Sequence, residues 1–190
     1  MAPRKPGHGV REILCLAAST AALLGAMACT SNAGGPSAGA TTVPPPATTS
    51  ESPKEAAGSL AVEAYKGMLS DFAAAAQTSD WKSPNLARHA TGDALSLITR
   101  GLFADQQAGL VSKGAPISAP SVSSVEPSGE PTKVTITDCN DSSNWLKYKR
   151  SGELANDMPG GRRTITSIVI RQPDGAWKVD KLVVQALGSC

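Results

Sequence analysis

Histidine, aromatic side chains and any excess of charge are scarce in this chain. Two histidines and seven aromatic residues occur among 190, so sites that need several imidazoles or stacked rings have little to be built from. Lys and Arg number 18 against 16 Asp and Glu. Over residues 57–190 the count is 14 against 13, which leaves no electrostatic footprint for nucleic acid. No Cys-x-x-Cys pair, phosphate-cradling glycine loop or cluster of metal-ligand residues is present, and no cofactor or metal is expected. Long apolar runs are also missing. The most apolar stretch, the uncharged run Ile13 to Ala28, has 16 residues, short of the roughly 20 that a spanning helix needs.

That stretch follows Arg4, Lys5 and Arg11 and ends at Cys29, the shape of a signal peptide over residues 1–28. The segment Leu23-Leu24-Gly25-Ala26-Met27-Ala28-Cys29 resembles a bacterial lipobox. The resemblance implies that Cys29 is acylated and that the mature protein is held at the outer face of the cell membrane, where two acyl chains give stable anchoring. The alternative is plain cleavage after Ala26-Met27-Ala28 and a secreted product. Residues 30–56 consist mainly of Thr, Ser, Ala, Gly and Pro. They have too few large apolar groups to offset their ordering entropy, so they are expected to form a disordered tether.

The remaining residues, 57–190, make one domain of ordinary composition. Cys15 leaves with the signal segment and Cys29 takes lipid, so Cys139 and Cys190 remain for one disulfide in an oxidising compartment. A metal site or catalytic thiol is the competing reading, but His89 is the domain's only histidine.

Apolar residues Ala61, Tyr65, Met68, Leu69, Phe72 and Ala76 recur at three- and four-residue spacing, which predicts a helix from Ser59 to Gln77. Ser83-Pro84 opens a short helix to about Ala90. Thr91 caps a third helix whose inward face is Leu95, Ile98, Leu102 and Phe103. After Gly114 the period becomes two and β-branched residues dominate. Strands are predicted at 117–125, 133–138, 144–149, 163–172 and 176–187, the last pair joined by Pro173-Asp174-Gly175. Helices followed by antiparallel strands indicate an α+β domain.

This order, with two long final strands, resembles the nuclear transport factor two-like cone fold, in which helices pack on a strongly curved sheet. The stretches AYKGMLSDFAAAAQTSDWKSP, LARHATGDAL and DCNDSSNWLKYK, with Gly160 to Arg163 and the final Cys190, are similar to a group of secreted actinobacterial lipoproteins. The resemblance spans residues 57–190 and implies a fold and an address but no activity.

Several side chains are candidates for chemistry. Asp138 or Asp141 with Tyr148 matches the carboxylate-plus-phenol arrangement of cone-fold isomerases. The run Asp138 to Ser142 also offers oxygens at alternating positions for calcium, without the glycine and distal glutamate of an EF-hand, or is simply a turn beside the disulfide. His89 next to Arg88 is a general-base candidate with no evident partner. Tyr65, Phe72, Trp145 and Trp177 are expected to line a cavity. Arg162, Arg163, Lys147, Lys149 and Arg150 suit an anionic polymer or lipid headgroup, or else form a solvated strand edge.

Three functions follow: binding of a small apolar ligand or an envelope protein without catalysis, an isomerase- or dehydratase-like activity, and an assembly module. Intact mass of the membrane fraction is expected to show a species that begins at Cys29, carries diacylglycerol and gains two hydrogens on reduction. A lipid-free soluble species would establish plain secretion instead.

Overall fold

The computed structural model describes residues 51–155 and 160–190. The signal segment, Cys29 and the tether as far as Ser50 lie outside them. Ala47–Cys190 forms one compact unit, an α+β arrangement of helices followed by antiparallel strands.

Helix α1 spans Pro53–Ala76 and so begins before the periodic stripe that announces it. The reason is a capping box. Ser52 Oγ accepts from the backbone N–H of Glu55, and the Glu55 carboxylate accepts from the backbone N–H of Ser52 at 2.9 Å, which satisfies two of the orphan donors of the first turn. Pro53 follows at a position where its missing N–H costs nothing. Residues 53–56, which composition assigns to the tether, therefore belong to the helix, with Ser52 as its N-cap. Helix α2, Leu86–His89, is a single turn that starts after a turn at Ser83-Pro84 rather than at it. Helix α3 is Gly92–Gln107 with Thr91 at its N-cap. Gly92 has φ +50°, and a Cβ there would overlap the Asp180 carboxylate, so that position needs glycine.

The strands form two sheets. β2 (Ser121–Glu126), β3 (Lys133–Asp141), β5 (Arg162–Arg171) and β6 (Trp177–Val184) lie in the order β2-β3-β5-β6, and β1 (Leu110–Lys113) pairs with β4 (Leu146–Lys149). All of these pairings are antiparallel. β1 carries no clear alternation and is not predicted by its sequence. Ile117, expected to open a strand, makes a lone bridge to Asp141 between Pro116 and Pro120. β6 ends before Leu187 because the chain then turns to hydrogen-bond along the start of β5, with Gln185 N–H to Thr164 and Gly188 N–H to Arg162.

β3 and β5 pair without interruption from Lys133↔Ile170 to Asp141↔Arg162, and period-two alternation decides what faces the helices. Val134, Ile136 and Asp138 on β3, and Ile165, Ser167 and Val169 on β5, are buried against α1 and α3 together with Val179 of β6. Thr135, Thr137 and Cys139 turn the other way. Asp180 is an extra residue in β6, at a bulge between Val179 and Lys181, which turns its carboxylate toward the start of α3.

On the outer side, Cys139 is bonded to Cys190 with Cα atoms 5.8 Å apart and a sequence separation of 51. The tail that carries Cys190 is also held by Thr164, whose N–H donates to Ser189 Oγ at 2.8 Å. Replacing Cys190 with Ser is expected to lower the unfolding free energy by about 2–5 kcal/mol, read from urea denaturation. A change within error would mean that the hydrogen bonds of the tail fix it without the bridge.

Candidate functional site

α1, α3, the inner face of β5 and β6, and the small β1–β4 sheet together enclose a cavity of about 360 Å³. Its inner wall is Tyr65 and Met68 of α1, Ile98 of α3, and Asn140 and Ile165 of the sheet, all buried. Leu97, Val184 and Lys147, which are about half exposed, form its rim. The wall is mainly apolar, and its charged members are Asp105, Lys147 and Arg163. Lys147 and Asp105 form an ion pair at 2.5 Å.

Three of the four side chains expected to line a cavity do so: Tyr65, Phe72 and Trp145. Phe72 and Trp145 meet edge to face with centroids 4.8 Å apart, a favoured geometry for two quadrupoles. Trp145 Nε1 is buried and has no hydrogen-bond partner among the described residues. Trp177 corrects the expectation. It sits at the opposite end of β6 from Val184, paired with Arg171, and borders a separate groove with Pro53 and Ala57.

Asp138 is 1 % exposed. Its carboxyl accepts from Tyr65 Oη at 2.8 Å, from the backbone N–H of Ala119 at 2.6 Å and from Asn140 Nδ2 at 3.3 Å. Burial, then the hydrogen bond to Asp138 and its charge, push the Tyr65 phenol well above its ordinary value of 10.0, so this hydroxyl is a fixed donor. The carboxylate-plus-phenol pair predicted with Tyr148 is thus formed with Tyr65 instead. Tyr148 belongs to β4 in the other sheet, where Lys113 Nζ lies 4.4 Å from its ring centroid.

Asp141, at the end of β3, accepts from the Ser143 N–H at 2.8 Å. Hydrogen bonds from Ser143, aided by the charge of Arg162, hold it below the usual carboxylate range. The calcium reading fails on geometry. Asp138 to Asp141 are consecutive residues of a strand, not a loop, so Asp138 and Asn140 face inward while Cys139 and Asp141 face outward, and their oxygens do not converge.

His89 does have a partner that spacing along the chain conceals. Its Nδ1 lies 2.7 Å from Asp71 Oδ2 on α1. The ring lies flat against Gly67, where a Cβ would come within 2.8 Å of it. The pair fastens α2 to α1. The residues that sequence reasoning missed are Met68 and Ile98 as cavity wall, Asn140 as inner polar group and Asp105 as partner of Lys147. Asn140 was legible in principle, since period two places it on the face of Val134 and Ile136.

No family model matches the chain, and no curated protein matches it. The solved structure of the intermembrane-space region of the chloroplast protein ARC6 aligns at 18% identity over 65% of this chain and 95% of that chain, with a TM-score of 0.35. A likeness at that level carries no argument about this protein.

Tyr65→Phe leaves the buried Asp138 one donor short and is expected to cost about 1–3 kcal/mol. The phenol is raised in the folded state, so its contribution is complete below pH 10 and declines as pH rises above that value. Urea unfolding at pH 8 and pH 10.5 should therefore show a loss in the parent that is smaller in Tyr65→Phe. Equal slopes would mean that Tyr65 does not carry the effect.

Proposed function

We propose that this protein is an exported lipoprotein, held at the outer face of the cell membrane through Cys29, whose domain binds a small apolar molecule in the cavity beneath α1 and α3. The observation that carries the reading is the cavity itself. A volume of about 360 Å³ with a wall of Met68, Leu69, Phe72, Ile98, Ile165 and Leu182 falls within the range of small-molecule sites. The disulfide supports an oxidising compartment outside the cytoplasm. The domain is read as cone-like: bulges in β2 and β6 favour bending of the four-stranded sheet, and the β1–β4 pair borders the cavity from another side.

Catalysis by Asp138 is the weaker reading, because its carboxyl is already occupied by three donors and Tyr65 holds its proton.

The test is calorimetric titration with 1-decanol, using the full disulfide-bonded chain with Cys29→Ala in detergent-free buffer, so that no lipid or detergent competes. Binding is expected in the parent. Ile98→Trp, which fills the cavity from α3, should weaken it by at least about tenfold, the equivalent of some 1.4 kcal/mol. Absence of binding in the parent, or equal binding in both, overturns the proposal.

A further inference from the structure

Alternation along β5 sends two neighbouring arginines to opposite faces. Arg162 turns outward, where its Nε and Nη2 lie 3.3 and 3.2 Å from Cys139 Sγ. Arg163 turns inward, opposite Asn140 in register, and lines the cavity. The other two charges of the wall, Asp105 and Lys147, neutralise each other. Among the described residues Arg163 forms no ion pair, so of the charges they bring to this mostly apolar lining its guanidinium is the one left without an opposite partner.

Building on the apolar-binding reading above, we infer that the cavity takes a single-chain anionic amphiphile, its alkyl chain among Met68, Phe72, Ile98 and Leu182 and its carboxylate-type head at Arg163. A guanidinium presents a planar fork that matches a carboxylate in two parallel hydrogen bonds. Size limits the tail. At about 30 Å³ for each water-sized group, a cavity of 360 Å³ holds on the order of a dozen heavy atoms. That is the size of decanoate and too small for the two long chains of a bilayer lipid. The half-exposed rim at Leu97 and Val184 leaves an entrance for the chain.

The experiment compares decanoate, 1-decanol and decyltrimethylammonium by calorimetry at neutral pH, on the full chain with Cys29→Ala and without detergent. Decanoate is expected to bind about tenfold or more tightly than decanol, and the cationic amphiphile no more tightly than decanol. Arg163→Gln should bring the ratio of decanoate to decanol affinity down to about one, and Arg163→Lys, which keeps the charge, should restore part of that ratio. Equal affinity for decanol and decanoate in the parent, or a ratio that Arg163→Gln leaves unchanged, overturns the anionic head at Arg163 while apolar binding stands. No binding of either decanol or decanoate overturns both.

Discussion

A carboxyl group sealed between a helix and a sheet must be met by donors, and in this protein meeting Asp138 brings three segments together. Tyr65 reaches it from α1, the Ala119 N–H from the segment that precedes β2, and Asn140 from the same strand two residues on. Each donor belongs to a different part of the packing problem. Tyr65 sets where α1 lies over β3, and Ala119 ties down a proline-flanked stretch that has no ladder of its own. Asn140 is held with its ring of neighbours at the cavity wall. An unmet carboxyl in that place would be strongly destabilising, so the inner edge of the cavity is fixed by the same constraint that seats the helix.

Beyond that point the helix changes character. Ala57, Ala61 and Ala64 of α1 are buried and small, which allows a close approach to the sheet, whereas Tyr65, Met68 and Phe72 meet the cavity. Across from them, β5 and β6 contribute Ile165, Leu182 and Val184 at the end away from Trp177. The cavity therefore lies at the Val184 end of β6, while Trp177 at the other end is buried beside a separate groove. The disulfide and the tail bonded to Thr164 and Arg162 brace the outer face of the cavity end.

The candidate residues separate by the kind of information each requires. Tyr65, Phe72 and Trp145 were legible as cavity wall because large rings in an aromatic-poor domain have few other places to go. Trp177 obeys the same logic yet sits at the other end of β6, away from the cavity, and nothing local to its sequence distinguishes the two ends. Asp138 was recognisable as a notable carboxyl, but its partner was not. Tyr65 is 73 residues away along the chain, while Tyr148, nearer in sequence, is carried off by β4 into the second sheet. His89 and Asp71 repeat the lesson at a separation of 18.

Local chemistry by itself determined the uncharged run before Cys29, the pairing left to Cys139 and Cys190, the helical stripe of α1 and the alternation of β3 and β5. Those features depend on composition or on the fixed periods of helix and strand, which act within a few residues. Tertiary structure alone decided the pairing of β1 with β4, the donors of Asp138, the neutralisation of Lys147 by Asp105 and the place of Arg163 in the cavity wall. Each of these depends on which distant segments come into contact, and that is set by packing of the whole domain rather than by any stretch of the chain.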